Sequence, residues 1–442
     1  MPTMQARPRL FVLALVVLAM GAAPGRADPA PTLTGRWIVS VDFFGVPQYF
    51  TMQLVQTGAT LSGDFAGDPL TGGVTGGAVE LSAKDPAGGY ETAKATLRGG
   101  VITGSIDIAF SGDPTHPSTH SFTASLVAPR PAKPRRHELV PTVFHRQFSA
   151  TATPVLTVSP GDTIATTTVD AGGTDAKGVQ RVLGGNPQTG PFYVEGALPG
   201  DTLVVHIARL RLNRDWAISD DGVVGRGLDS DLAVKMKDGG KPVRWHLDLA
   251  RGVATSEAPN PHLAKYTVPL RPMLGCVGVA PGPGQAAPGT GDSGAWGGNM
   301  DFNEVVEGST VYLPVRTPGA LLYVGDGHAA QGDGELTGNA LETSMDVQLT
   351  VEVISGKSVP GPRVETATHV IAMGLDGSLD GAFRAATANM AAWLTGTYGL
   401  TPSEIAQVLG TAAEYRVSEV ADRNAGIVLR LGKDRLRALT AK

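Results

Sequence analysis

Residues 325–346 (GDGHAAQGDGELTGNALETSMD) concentrate acidic side chains around a single histidine, His328. The stretch also contains Gln331 and five glycines, has no lysine or arginine, and carries five carboxylates: Asp326, Asp333, Glu335, Glu342 and Asp346. Carboxylates that crowd together raise one another's pKa unless a cation or shared protons compensate. Three interpretations are open on these residues alone: a solvated acidic loop, a metal site or a proton-transfer site.

A second acidic segment, GGNMDFNEVVEG at 297–308, precedes this stretch, and VYLPVRTPGALLYV lies between the two. The central Pro-Gly predicts a β-hairpin, whose outer ends would bring Asn299 and Asp301 towards Asp326 and His328. Carboxylate with imidazole suits Zn²⁺, whereas carboxylate with carbonyl oxygen suits Ca²⁺. Spacing alone supports the metal site and the solvated loop about equally.

The elements that must position these residues belong to a β-rich region, predicted from residue 139 to 442. A pattern of strand, Pro-Gly turn and strand recurs, with PGD at 160–162 and at 199–201, and predicts related hairpin modules. Helical spacing appears late, in a segment that ends at Gly399 and in a second one with Pro402 in its first turn. The predicted fold class is α+β, predominantly β, with C-terminal helices.

The first part of the chain has a different organisation. Residues 31–128 alternate apolar and polar side chains between Gly, Asp and Pro turns, which predicts a small antiparallel β-barrel-like domain. In this pattern the segment resembles small lipocalin-like β-domains. PRPAKPRRHE at 129–138 is proline-rich and basic, and is interpreted as a linker.

The N-terminus reads as a targeting segment. Arg7 and Arg9 precede an apolar run and a zone of small residues, which predicts a secretory signal over residues 1–27 with cleavage near Ala27. We therefore expect a secreted or periplasmic protein, with a retained N-terminal anchor as the alternative. The single cysteine, Cys276, lies in an apolar stretch and is predicted to pack rather than react.

Composition and motifs exclude several classes. A net charge of −5 gives no reason to expect nucleic acid or an anionic membrane as partner of the mature protein. The GDSG at 291–294 looks like the nucleophile loop of a serine protease. No positioned histidine accompanies it in the sequence, so a protease is not expected.

Several segments resemble the acetamidase/formamidase family, in the family's order, from about residue 138 to 440. They are TGPFYVEGALPGDTLVVHI (189–207), PLRPMLGCVGVAP (269–281), the block from GGNMD at 297 to DVQLTVEV, and the tail AEYRVSEVADRNAGIVLRLGK. The resemblance implies a β-rich body, a metal at or near the active site, and hydrolysis of a short-chain amide to carboxylate and ammonia. Neither the N-terminal β-domain nor the signal belongs to this resemblance.

Roles within that site are assigned from chemistry. Asp326 and His328 are the predicted metal ligands, with Asp301 and Glu195 as further candidates, and the expected cofactor is a divalent metal, Zn²⁺ by preference, or Ca²⁺ as a structural ion. Glu335 would carry a proton, and Asp333 is a further catalytic candidate. The predicted oxyanion donors are Gln331 and Asn299, and Glu342 would orient His328 from behind.

Two other classes compete with the amidase. One is a binding protein that captures a small polar ligand on the same β-scaffold without turnover. The other is an adhesion protein with Ca²⁺-binding loops, which leaves the histidine and the non-repeating sequence unexplained. We further expect a small amide as the partner and a homodimer or higher homo-oligomer as the assembly.

Overall fold

The computed structural model of the protein describes residues 32–236 and 240–439. The predicted secretory signal, residues 1–27, lies outside these described residues. Among the helices within them, none combines the length and the apolar character needed to cross a membrane.

The N-terminal region is a closed antiparallel barrel in which each strand pairs with the next and β1 pairs with β8. Alternating side chains fill its interior with an apolar core that includes Trp37, whose indole N–H donates to the Leu33 carbonyl. The predicted barrel is confirmed. Its strands are β1 Gly35–Phe43, β2 Val46–Thr57, β3 Thr60–Phe65, β4 Asp68–Thr75, β5 Ala78–Lys84, β6 Tyr90–Arg98, β7 Val101–Ala109 and β8 Ser118–Leu126.

The second region consists mainly of short strands. In chain order they are β9 Arg136–Glu138, β10 Phe144–His145, β11 Leu156–Val158, β12 Thr163–Thr167, β13 Gln188–Val194, β14 Thr202–Leu212, β15 Trp216–Asp220, β16 Pro242–Asp248, β17 Val253–Ser256, β18 Val268–Pro269, β19 Met273–Gly278, β20 Ser293–Gly294, β21 Gly297–Asn299, β22 Thr310–Pro314, β23 Leu322–His328, β24 Glu342–Thr343, β25 Met345–Ile354, β26 Arg363–Glu365, β27 His369–Asp376, β28 Glu414–Glu419 and β29 Ala425–Gly432.

These strands form two sheets. One has nine strands in the order β28-β29-β27-β26-β22-β14-β25-β12-β9. The other has twelve, with the main path β18-β17-β16-β15-β24-β23-β19-β21-β20, and β13 joins it by pairing with β10, β11 and β23. The largest apolar core combines buried side chains of both sheets, such as Val205 and Leu349 from the first and Val277 and Val324 from the second. The two sheets are therefore packed face to face.

The Pro-Gly turns do not close hairpins, contrary to the sequence-based expectation. The turn at 160–162 joins β11 to β12, the turn at 199–201 joins β13 to β14, and the turn at 318–319 joins β22 to β23. In all three cases the two strands lie in different sheets. The predicted hairpin modules are thus wrong, since each Pro-Gly turn carries the chain across the core from one sheet to the other.

The described residues form four α-helices, of which the three C-terminal ones pack outside the nine-stranded sheet. The four helices are α1 Ser230–Lys235, α2 Leu379–Tyr398, α3 Pro402–Ala412 and α4 Lys433–Leu436, with 3₁₀ turns at Gly225–Gly227 and Pro261–Leu263. Gly399 ends α2 with φ 68°, and Thr401 closes a capping box with Glu404 at the start of α3. The predicted α+β, mainly β fold with C-terminal helices is confirmed.

The basic segment between the two regions is attached at its end. Arg136–Glu138 forms β9, which pairs in parallel with β12, and the Arg135 guanidinium binds the buried carboxylate of Asp162. The last residues of the segment interpreted as a linker therefore belong to the second region.

Candidate active site

Three neighbouring strands of the twelve-stranded sheet bring the two acidic segments together. β19 lies between β21 and β23, so Cys276 is paired with Asn299 on one side and with Gly325 on the other. Asp301 follows β21, and Asp326 lies on β23. The two carboxylates therefore meet across β19, although no hairpin joins their segments.

The central strand leaves space for them at Gly275. A Cβ at this position would collide with Asp301 Oδ1 and Asp326 Oδ2 and would approach His328 Cε1 to 3.0 Å. The backbone carbonyl of Gly275 also accepts hydrogen bonds from the amides of Met300 and Asp301, at 3.0 and 3.1 Å. Gly275 thus forms the floor of the cluster, where any larger residue would displace its carboxylates.

Backbone strain concentrates at the same place. Asn186, Asp301, Asp326 and Glu335 have φ values of 57°, 40°, 56° and 45°. They are four of the eight non-glycine residues with positive φ in the described parts of the chain. Each such residue costs about 1–3 kcal/mol unless its surroundings compensate, and such strain is typical of functional sites.

The His328 ring is held in one orientation. Its Nδ1 lies 2.9 Å from Gln331 Oε1, while Gln331 Nε2 donates to the carbonyls of Asp301 and Ser418, at 2.5 and 3.3 Å. Because the Gln331 amide nitrogen is engaged as a donor, its oxygen must accept from Nδ1–H, an assignment made from the network. The Nε2 lone pair of His328 therefore points away from Gln331.

Four carboxylates surround that nitrogen. His328 Nε2 lies 3.1 Å from Glu342 Oε1, 3.4 Å from Asp326 Oδ1, 3.9 Å from Asp301 Oδ1 and 4.0 Å from Glu335 Oε1. All five side chains are buried. Neither His328 Nε2 nor either carboxylate oxygen of Asp301 has a hydrogen-bond partner within the described residues. An unpartnered lone pair among buried carboxylates is unfavourable unless positive charge occupies the space between them.

The electrostatics agree with this geometry. Burial and the neighbouring acids raise the pKa of Asp301 and of Glu335 well above the usual range, and raise the pKa of Glu342 to about 7. Burial acts in the same direction on Asp326, but the charge of His328 outweighs it and lowers the pKa of Asp326. Burial opposes charge on His328, yet Glu342 and Asp326 raise its pKa well above the ordinary value. The cluster therefore demands a cation or bound protons.

The ligand atoms fall into two overlapping groups that share His328. Asp301, His328 and Glu335 form one, and Asp326, His328 and Glu342 form the other; within each group the atoms lie within 4.8 Å of one another. The site residues thus fit a divalent cation by donor type, by burial and by their unpartnered atoms.

The cluster opens into a cleft of about 700 Å³, whose wall includes Asp326, Glu335 and Glu342. A chain of side-chain amides reaches the same wall, to which Asn186 and Asn299 belong. Gln188 Nε2 donates to Asn186 Oδ1 at 2.8 Å, Asn186 Nδ2 to Asn299 Oδ1 at 2.5 Å, and Asn299 Nδ2 to Asp422 Oδ2 at 2.8 Å. The cleft can therefore receive a small polar molecule beside the cluster.

The structure places most of the predicted site residues together, but changes some roles. Gln331 uses its amide nitrogen on two carbonyls and its oxygen on His328, so it orients the histidine and is not free to bind an oxyanion. Glu342 lies on the Nε2 side of the ring, among the candidate ligands, rather than behind it. Asn299 lies on the cleft wall, as proposed for an oxyanion donor.

Two predicted residues are placed elsewhere. Asp333 binds Asn303 and forms an ion pair with Arg416, which together hold the pKa of its carboxyl below the usual range despite partial burial. Glu195 lies near Tyr193 in a separate depression against the barrel, where burial raises its pKa. The structure does not bring either carboxylate into the cluster.

Sequence reasoning missed Asn186, Gln188, Asp422 and Arg214. Arg214 is buried, forms an ion pair with Asp170 at 2.6 Å, stacks on the Trp216 ring and donates to the backbone carbonyl of Glu342 at 3.2 Å. Arg214 lies in the short turn between β14 and β15, and a single arginine there gives no sequence signal of this position. The family-like tail VADRNAG did point to the segment that contains Asp422.

Comparisons with known proteins identify what the second region is similar to. Residues 284–431 match the model of the Acetamidase/Formamidase family. A Schizosaccharomyces pombe protein provisionally named a formamidase is 28% identical over 212 residues, which cover 38% of this chain and 51% of that protein. The chain thus spans about half the length of this curated relative.

Two solved structures share the fold over almost their full length. A predicted acetamidase/formamidase from the thermophile Thermoanaerobacter tengcongensis has a TM-score of 0.60 and 29% identity, covering 70% of this chain and 99% of its own. An acetamidase from Bacillus halodurans has a TM-score of 0.59 and 28% identity, covering 69% of this chain and all of its own. The family resemblance inferred from the sequence is confirmed.

Proposed function

We propose that this chain, which resembles the acetamidase/formamidase family over about residues 138–440, hydrolyses a linear short-chain amide to a carboxylate and ammonia. One observation carries the proposal. The unpartnered His328 Nε2 and Asp301 carboxylate lie beside a cleft that admits a small polar molecule, in the part of the chain that is similar to proteins named as amidases.

The proposed cofactor is a divalent cation held by His328 Nε2 and by carboxylates from the two ligand groups. Bound there, such an ion would polarise the amide carbonyl and lower the pKa of a water molecule. The imidazole donor favours a Zn²⁺-type ion, whereas a site of oxygen ligands alone would favour Ca²⁺. Gln331 supports the same proposal because it fixes the tautomer that leaves Nε2 free to ligate.

The other residues of the cleft have separate tasks in the proposed reaction. Asn299 donates to Asp422, and the remaining N–H of its amide has no acceptor among the described residues, so it is the proposed donor to the developing oxyanion. Glu335 belongs to a ligand group and accepts a hydrogen bond from the Ala340 amide at 3.0 Å. A ligand carboxylate is poorly suited to carry a proton, so the proton carrier has to be sought among the other acids of the cleft.

The test combines metal analysis with an amide panel. Purified protein should contain a divalent metal and release ammonia from formamide or acetamide, a chelator should abolish the release, and Zn²⁺ should restore it. Full activity in a folded preparation without metal would refute the metal-assisted mechanism. Binding of these amides without ammonia release would instead support the non-catalytic binding protein.

A matched pair of glycine variants locates the site. Gly275→Ala should lose both bound metal and activity, because its Cβ would collide with Asp301 and Asp326. Gly332→Ala should keep both, because a Cβ at Gly332, in the same acidic stretch, meets nothing within 4 Å. Equal behaviour of the two variants would place the active site elsewhere.

The remaining proposals concern location and assembly. The pattern of residues 1–27 supports export, and determining the N-terminal residue of protein recovered from the periplasm or medium would test it. A homodimer or higher homo-oligomer is proposed for the mature chain, and light scattering would test that assembly.

A further inference from the structure

The proposed hydrolysis needs a group that takes a proton from water and gives it to the leaving nitrogen. Three acids of the cleft, Asp326, Glu335 and Glu342, belong to the candidate ligand groups. Asp170 also lines the cleft but is paired with the buried guanidinium of Arg214 at 2.6 Å. Asp220, Asp292 and Asp422 line the same cleft and belong to neither ligand group. Of these three, only Asp422 accepts a hydrogen bond from the side-chain amide of Asn299, the proposed oxyanion donor.

The segment after β28 holds Asp422 firmly. A bulge in the pairing of β28 with β29 falls between Val417 and Glu419, and the chain then turns towards the cleft. The guanidinium of Arg226 donates to the backbone carbonyls of Val420 and Asp422. Asn299 Nδ2 donates to Asp422 Oδ2 at 2.8 Å, while Oδ1 has no hydrogen bond to any described residue. One carboxylate oxygen is thus fixed, and the other remains available on the cleft wall.

A second carboxyl lies directly behind it. Glu419 is fully buried, and its Oε2 accepts a hydrogen bond from the backbone amide of Asp422 at 3.2 Å. Its Oε1 has no partner within the described residues. Because an ionised buried carboxylate without a partner is unfavourable, Glu419 is expected to be protonated. A protonated Glu419 adds no negative charge next to Asp422.

We infer that Asp422 is the proton carrier of the amide hydrolysis, an inference that rests on the proposed function. As water attacks the amide carbon and the C–O bond forms, a proton of that water passes to the Asp422 carboxylate. The same proton then passes to the nitrogen as the C–N bond breaks, so that ammonia and the carboxylic acid leave. Asp422 returns to its ionised form, and neither oxidant nor further reactant is needed.

The environment of Asp422 suits this exchange near neutral pH. Burial raises its pKa to about 6; the hydrogen bond from Asn299 and the charge of Arg226 act against this, while Asp326 and Asp292 add to it. Burial and the charge of Asp422 raise the pKa of Glu419 to about 8. A base with a pKa close to the working pH both accepts and returns a proton readily.

The test compares Asp422→Asn with Asp220→Asn in the metal-loaded full-length protein. Asparagine at 422 keeps an oxygen for Asn299 but cannot carry the proton, so kcat should fall by about 10²–10⁴-fold with little change in KM. The acidic limb of the wild-type pH profile of kcat/KM should disappear with it. Asp220 also lines the cleft, where Asn339 donates to it, and its amide variant should keep the wild-type rate and profile.

Further measurements separate the outcomes. Metal content and melting temperature of Asp422→Asn should match those of the wild type, and Asp422→Glu should recover part of the rate. An active wild type whose Asp422→Asn variant keeps both its rate and its acidic limb overturns this inference alone. A loss of rate that follows loss of metal or of folding also overturns it. A metal-loaded wild type that releases no ammonia from any amide overturns the proposed function, and this inference with it.

Discussion

The second region buries carboxylates at the first Pro-Gly turn and in the acidic cluster, and the surroundings of the carboxylates differ between these two sites. At the first Pro-Gly turn, Asp162 accepts hydrogen bonds from the amides of Arg135 and Ser159, from the Arg135 guanidinium and from the His137 ring. In the acidic cluster, Asp301 is equally buried and neither of its oxygens has a partner among the described residues. The fold thus supplies a complete set of hydrogen-bond partners to the buried carboxylate of Asp162, but none of the described residues supplies one to Asp301.

The difference teaches how a structural acid is distinguished from a functional one. The hydrogen bonds of Arg135, Ser159 and His137 outweigh burial and hold the pKa of Asp162 far below the usual range. Burial and like charge instead raise the pKa of Asp301 well above it. Hydrogen bonds and an ion pair stabilise the buried carboxylate at the turn. The buried carboxylate of Asp301 lacks such partners among the described residues, so a bound ligand can stabilise it instead.

The largest expected effect would come from removing the core of the cluster. His328→Ala and Asp326→Ala should each reduce ammonia release to background and lower the bound metal, because both side chains belong to the proposed ligand set. Ammonia assay, elemental analysis and circular dichroism on the same preparations would measure this. If both variants fold and retain turnover, the acidic cluster is not the catalytic site, and its contrast with the structural carboxylate at the Asp162 turn has no functional meaning.

The next largest effect is expected on the free energy of unfolding, which should respond differently to substitutions at Asp162 and at Asp301. Asp162→Asn should lower the free energy of unfolding by about 2–4 kcal/mol, because it removes a buried, fully hydrogen-bonded charge. In chelator, Asp301→Asn should leave the free energy of unfolding unchanged or raise it, because an uncharged amide of similar shape replaces a buried carboxyl that has no hydrogen-bond partner among the described residues and is costly to ionise. Denaturant unfolding of both variants beside the wild type provides the measurement. A metal-free Asp301→Asn protein that loses as much stability as Asp162→Asn would show that the cluster is stabilising after all.

The pH dependence of stability should have two limbs of opposite sign. Asp162 has a folded pKa below its unfolded value of about 3.9, so its contribution is present above that pH and is lost as the pH falls. Glu342 has a pKa raised to about 7, so metal-free protein should lose stability as the pH rises from about 4.3 through 7. Each group contributes up to about 1.4 kcal/mol per pH unit.

Unfolding curves at several pH values, with chelator and with Zn²⁺, would test these limbs. Zn²⁺ should abolish the loss of stability that Glu342 causes as the pH rises. It should leave unchanged the loss of stability that Asp162 causes as the pH falls. A chelated protein whose stability does not change between pH 5 and pH 8 would contradict the cluster electrostatics.

The smallest expected effect belongs to Glu195. The sequence suggested this residue as a metal ligand, but it lies in a depression next to the barrel. Glu195→Gln should therefore change the rate of ammonia release by less than about twofold, as a substitution outside the site generally does. Loss of metal from this variant would show that Glu195 reaches the cluster after all.

The sequence was informative where chemistry and local geometry coincide. The acidic stretch around His328, the alternation of the barrel strands, the helix end at Gly399 and Pro402 in the first turn of the next helix depend on near neighbours, and the structure contains each of them. The residues brought close by the sheet, Asp301 and Asp326, were also expected together, although through a hairpin that does not exist.

What could not be predicted depends on contacts between distant segments. A Pro-Gly turn has the same local sequence whether its strands pair with each other or enter different sheets. Asn186 and Asp422 meet at Asn299 across 236 positions of the chain, and no short-range pattern encodes that meeting. The positions of Glu195 and Gln331 differ from those expected for the same reason, because residue type indicates chemistry but not the direction of a side chain.

The closing of the site by the segment at 418–422 has a consequence for biosynthesis. Gln331 donates a hydrogen bond to the Ser418 carbonyl, Gly334 forms a parallel β-bridge with Glu419, and Asp422 accepts a hydrogen bond from the side-chain amide of Asn299. The acidic stretch leaves the ribosome about 80 residues before these partners do. A chain that stops early would contain every candidate metal ligand but no finished cleft, so competence for turnover would be acquired last, when β28 joins the sheet.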